Sequence, residues 1–154
     1  MKKIIALLLV LAMAAAMVPA VSAADHQIHD IVGHWAEPDI LWVMDMGLFN
    51  GTSASTFTPN GSMTRGMFVT VLGRYAGIDP DEFEDWYLPD LYKDVDADAY
   101  YAPYINWATR HGITSGTGGG CFSPDAPITR EQMATILYRY ADYKGLDVSV
   151  SDET

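Results

Sequence analysis

Four histidines, a single cysteine and an alternating run of aspartates are the candidates for metal ligation or nucleophilic catalysis. His26 and His29 stand at helical spacing beside Asp25 and Asp30, as ligands of a zinc site would, but in a stretch expected to fray. Neither a His-Glu-x-x-His nor a Gly-x-Ser-x-Gly motif occurs, and His34 and His111 join no Cys/His cluster. Asp94, Asp96 and Asp98 alternate as in a calcium loop. An EF-hand needs glycine at its sixth place and glutamate at its twelfth, and here those places hold Ala99 and Ile105. The reading is a solvated acidic turn, with no metal. Carboxylates are plentiful but fall in connecting segments, which argues against a glycosidase pair. The run Gly116-Thr117-Gly118-Gly119-Gly120 lacks the Lys-Ser/Thr of a nucleotide loop. Cys121 cannot form an intramolecular disulfide, and no sequence neighbour would lower its pKa, so it reads as a small apolar filler. No catalytic residue and no cofactor is expected, and the chain does not read as an enzyme.

The elements that would position any other site are repeated. "TFTPNGSMTRGMFVTVLGRYAG" from Thr56 returns as "CFSPDAPITREQMATILYRYAD" from Cys121. Phe57, Pro59, Thr64, Arg65, Leu72, Arg74, Tyr75 and Ala76 reappear as Phe122, Pro124, Thr129, Arg130, Leu137, Arg139, Tyr140 and Ala141, always 65 positions on. A fixed offset over such a length marks an internal duplication.

Each copy reads as helix, Gly-rich loop, helix. Ile40, Val43, Met44 and Gly47 fall at helical spacing after Pro38, which suits a first turn because its missing N–H is harmless there. Pro103, Ile105, Trp107 and Gly112 repeat the pattern, and each glycine is a left-handed stop. After the loops, Phe-x-Pro re-enters with its ring buried. Thr64 and Thr129 then cap the second helices. Gln132 completes a capping box in copy two, whereas Met67 leaves copy one without it. Phe68, Val71, Leu72 and Tyr75, and again Met133, Ile136, Leu137 and Tyr140, form i, i+3, i+4, i+7 stripes read as core. One helical hairpin buries little alone, so the two are expected to stack.

The chain opens with two lysines, about 15 apolar residues and then small residues, the layout of a secretory signal cut after Ala23. Without Lys2 and Lys3, 7 basic residues face 20 acidic ones, a formal charge of −13 on the exported chain. That excludes nucleic acid and an anionic membrane as partners, since both require a positive face. The expected organisation is a signal over 1–23, an extension over 24–29, repeats over 30–77 and 94–145, an acidic, aromatic connector over 78–93 and a tail over 146–154. The fold class is all-α.

The ordered marks of the two copies resemble the S-layer homology repeat. They are an acidic start (Asp30, Asp94), an aromatic-Ala pair (Trp35-Ala36, Tyr101-Ala102), the glycine pair (Gly51, Gly116), the Phe-x-Pro turn and the Thr-Arg helix start (Thr64-Arg65, Thr129-Arg130). The resemblance implies a secreted, non-catalytic module. It would hold the chain at a bacterial cell wall by binding secondary cell-wall polysaccharide, often pyruvylated. Repeats of this family usually come in threes around a central bundle, with ligand grooves between neighbours. The implied ligand residues are Arg65 and Arg130 with Thr64, Thr129, Gly51 and Gly116, and the implied groove walls are Trp35, Tyr101, Trp42 and Trp107.

Physical chemistry leaves two readings of the arginines open. A guanidinium at a helix start, beside unpaired N–H groups and the positive dipole end, suits a ketal carboxylate. It suits equally an acid of the adjoining repeat. For the tryptophans, packing competes with sugar stacking. Copies one and two also lack the usual acid three places after the threonine, having Met67 and Gln132. The exported stretch of 131 residues holds two repeats of this size and no third. Three readings stay open: two repeats suffice, chains associate into a homo-oligomer that completes the bundle, or the gene product is truncated. A self-associating protein-interaction module is the alternative function.

Overall fold

The computed structural model of the chain describes residues 27–82 and 91–149. The signal, residues 24–26 including His26, the connector's 83–90 and residues 150–154 lie outside the described residues. The described part is helical, with four α-helices: α1 (Glu37–Asp45), α2 (Arg65–Tyr75), α3 (Ala102–Arg110) and α4 (Arg130–Tyr143). A single 3-10 turn, His29–Ile31, precedes them. Only isolated bridges represent β-structure among these residues.

The starts and stops follow the expected local chemistry. A proline sits in the first turn of α1 and of α3. Gly47 and Gly112 end them at φ 70° and 69°, the left-handed region that glycine enters without a Cβ penalty. Thr64 Oγ1 accepts from Met67 N at 3.2 Å, and Thr129 Oγ1 accepts from Gln132 N at 3.3 Å. Thr129 N donates back to Gln132 Oε1 at 3.3 Å, completing the capping box of α4.

The acid that opens each repeat fastens the loop that follows α1 or α3. Asp30 accepts from Phe57 N at 2.8 Å and Thr58 N at 2.7 Å. Asp94 accepts from Phe122 N and Ser123 N, both at 2.8 Å. These two-pronged bonds hold Thr58 and Ser123 at φ 59° and 60°, a conformation costly for residues that carry a Cβ. Both Asp94 oxygens are thereby committed to backbone. Asp96 instead accepts from Asp98 N at 3.0 Å, a local turn.

The core joins the repeats. Val69 and Leu72 of α2 pack with Tyr104, Ile105, Trp107 and Ala108 of α3, with Ile113 and Phe122 of the second loop, and with Ile136 of α4. Each fully buried aliphatic or aromatic side chain here contributes about 1.5–3 kcal/mol. Gly73 permits the approach of α2 to α3, since a Cβ there would lie 2.4 Å from Tyr104 Cδ1. A smaller cluster of Ile28, Ile31, Ile40 and Met44 seats α1.

The predicted core stripes need correction. On α2 the buried set is Arg65, Gly66, Val69, Thr70, Leu72 and Gly73, while Tyr75 is 67% exposed. The buried face is turned because α2 lies against α3 of the second repeat. On α4 only Ile136 is buried, and Leu137 is 47% exposed. No element among the described residues covers that flank.

Candidate functional site

The two arginines of the Thr-Arg starts occupy opposite environments. Arg65 is 4% exposed. Its Nε donates to Phe122 O at 3.0 Å and its Nη2 to Ser115 O at 3.1 Å. The guanidinium carbon lies 4.6 Å from the centroid of the Phe122 ring. Burial draws its pKa below the usual arginine value, with the Tyr92 phenol pulling the other way, yet a guanidinium remains charged at any ordinary pH. Neither sequence alternative describes it, because its partners are carbonyl oxygens and not an acid or an open crevice. Arg130, the same position 65 residues on, is exposed at the start of α4, and no partner meets it among the described residues.

The predicted groove walls separate likewise. Trp107 is 3% exposed and packs against the edges of Tyr140 and Tyr143. Its burial leaves no face for a sugar, which corrects its assignment as a groove wall. Trp35 and Trp42 are 84% and 59% exposed. Tyr101 is half-buried against Gly66, where a Cβ would meet Tyr101 Cδ1 at 3.0 Å. Gly51 and Gly116 serve close backbone approach: a Cβ would fall 2.6 Å from Thr56 O and 2.5 Å from Cys121 O respectively. Thr64 and Thr129 are helix caps.

A groove of about 410 Å³ opens between the first loop and α2. Phe49, Phe57, Met63, Met67 and Val71 give it apolar walls, and Asn50, Thr52, Thr58 and Arg74 give it polar groups. Gly51 also lines it, and Tyr100 closes one side from the second repeat. Arg74 Nη1 donates to Leu48 O at 3.2 Å. The Asn50 amide, turned to suit its neighbours, accepts from Arg74 Nη2 at 3.0 Å through its oxygen. Burial, then the nearby Asp125, raises the Tyr100 phenol above its ordinary value, so it remains a neutral donor. Sequence reading missed Arg74, although it recurs as Arg139. The signal was present in the repeat, but its place in a helix C-terminal turn suggested nothing beyond a favourable dipole.

An aromatic-walled groove with hydroxyls, an amide and one fixed cation is a concave surface of the kind that takes a ligand. The S-layer homology domain profile matches residues 27–66 and 91–134, together more than half of the chain. The chain belongs to the S-layer homology domain family. Its relatives include an endoglucanase of Bacillus sp. (strain KSM-635), 34% identical over 123 residues, which are 77% of this chain and 12% of that protein. S-layer protein EA1 of Bacillus anthracis is 29% identical over 137 residues, 88% of this chain and 15% of that protein. An amylopullulanase of Thermoanaerobacterium thermosulfurigenes is 28% identical over 115 residues, 75% and 6% of the two chains. The chain thus spans less than a fifth of the length of these relatives. No solved structure matches it. Family and relatives together mark it as a cell-wall anchoring module of a secreted bacterial surface protein.

Proposed function

We propose that the module anchors by binding a secondary cell-wall polysaccharide non-covalently, and that an acidic substituent of that glycan, such as a pyruvyl ketal, enters the groove beside Arg74. The observation that carries this is the composition of that groove. A sugar ring needs an aromatic face and hydroxyl partners, supplied by Phe57, Tyr100, Thr52 and Thr58. A carboxylate needs a cation, and on a chain of formal charge −13 after loss of the signal it must be a local one. Arg74 is oriented by two hydrogen bonds and keeps further N–H groups for a ligand. Arg130, at the start of α4, and the exposed Trp35 and Trp42 are further candidate ligand residues outside that groove.

The test is binding of residues 24–154 to purified wall polysaccharide, with and without its acidic groups. Arg74→Ala should weaken binding at least tenfold while leaving helicity intact. Equal affinity of the variant and the parent would remove Arg74 from the account. Equal affinity for the acid-free glycan would remove the acidic ligand.

A further inference from the structure

Within the chain, the start of α2 is plugged into the second repeat. Arg65 N donates to Ala126 O at 3.0 Å and Gly66 N to Pro124 O at 2.8 Å. With the two guanidinium bonds to Phe122 O and Ser115 O, four donors of one helix start meet four carbonyls of the next loop. Shifted by 65 residues, the donors become Arg130 and Glu131, and the carbonyls become those of Gly61, Pro59, Phe57 and Asn50. Among the described residues, no hydrogen bond reaches any of these. Among the described residues, each half of the contact therefore lacks its counterpart, the donors on α4 of the second repeat and the carbonyls on the loop of the first. The Phe rings report the same vacancy. Phe122, under Arg65, is 0% exposed, while Phe57 is only half-buried and lines the open groove.

We propose that α4 of one chain docks into the first repeat of a second copy, as α2 docks into the second repeat within the chain. The facing side chains favour this occupant. Inside the chain Gly73 is the hole and Tyr104 the knob. Their counterparts are Tyr138, 56% exposed, and Asp39, also exposed. The larger ring has changed sides and faces the shorter Asp39, whose carboxylate would offer the Tyr138 hydroxyl an acceptor. Leu137 would reproduce the burial of Leu72. One place fits less closely. Glu131 replaces Gly66, where a Cβ would meet the Pro124 carbonyl at 3.2 Å, so α4 must ride slightly farther out.

The contact is head-to-tail, so a pair of copies keeps one free donor end and one free acceptor end, and whether further copies add or the ends close on each other is set by the rotation between neighbours. The shared acidic charge opposes it, and added salt should strengthen it by screening. This goes beyond glycan retention: it uses the start of α4 as donor and the backbone carbonyls of the same groove as acceptors. Because the second copy enters the groove proposed for the glycan, the two occupants exclude each other.

Sedimentation of residues 24–154 over a range of concentration tests the idea. The wild type should pass from monomer to higher species as concentration rises. Asp39→Trp blocks the acceptor face and Arg130→Glu the donor end. Each variant alone should stay monomeric, with unchanged circular dichroism. Their equimolar mixture should form a one-to-one dimer, since each retains the face that the other has lost. A wild type that stays monomeric throughout, or a mixture that gives no dimer, overturns the proposal and leaves glycan binding untouched. Failure of glycan binding would likewise leave the dimer standing.

Discussion

Arg65 and Phe122, 57 positions apart, are joined twice: Nε donates to the Phe122 carbonyl at 3.0 Å, and the guanidinium carbon lies 4.6 Å from the centroid of the ring. One residue of the first repeat thus completes the core of the second. Replacing it with alanine leaves the carbonyls of Phe122 and Ser115 without their donors and opens a void over the ring. We expect Arg65→Ala to cost about 2–4 kcal/mol in urea unfolding. Arg65→Lys keeps the charge but cannot span both carbonyls, so it should recover only part of the loss. A stability equal to wild type for the alanine variant would contradict the linking role.

Asp30 and Asp94 give the fold an acid limit. Two backbone N–H bonds, led by Phe57 N, hold the Asp30 carboxyl below its ordinary value of 3.8. At Asp94 desolvation works upward, but the bonds from Phe122 and Ser123 outweigh it and the net shift is again downward. The folded state binds fewer protons than the unfolded one near these values, so the stabilisation is present above pH 3.8 and is lost as pH falls through the folded values. Asp94→Asn keeps one acceptor and turns an N–H against another. It should lower stability at neutral pH by about 1–2 kcal/mol and flatten the acid limb of the stability curve. A variant whose acid limb matched the wild type would contradict the role of Asp94.

Gly73 is required by a contact and not by its backbone conformation. A Cβ would press within 2.4 Å of the Tyr104 ring, a contact that real side chains do not make. Gly73→Ala should cost about 1–3 kcal/mol through overpacking, despite the higher helix propensity of alanine. Paired with Tyr104→Ala, it should cost less than the sum of the single changes. Strict additivity would place the strain elsewhere.

Much of this architecture was legible because it is local. Thr64, Thr129, Pro38, Gly47 and Gly112 set helix ends through bonds within a turn, and each appears where the pattern placed it. The repeat offset showed that two hairpins exist. It could not show which face of each second helix is covered, because that depends on how the hairpins stack. Stacking turned the buried face of α2 toward Val69, Leu72 and Gly73 and left Leu137 of α4 bare. Packing also divided residues that are identical in sequence. Arg65 has a neighbouring repeat beside it and Arg130 has none among the described residues, while Trp107 is covered by Tyr140 and Tyr143 of α4 and Trp42 stays exposed. Arg74 went unnoticed because its value lies in a groove formed by a distant loop and by Tyr100.

The most direct measurement is co-sedimentation of residues 24–154 with bacterial sacculi, before and after the secondary polysaccharide is stripped from the peptidoglycan. The account requires the protein to pellet with intact sacculi and to remain in the supernatant once the polysaccharide is gone. Equal pelleting with stripped sacculi would contradict it.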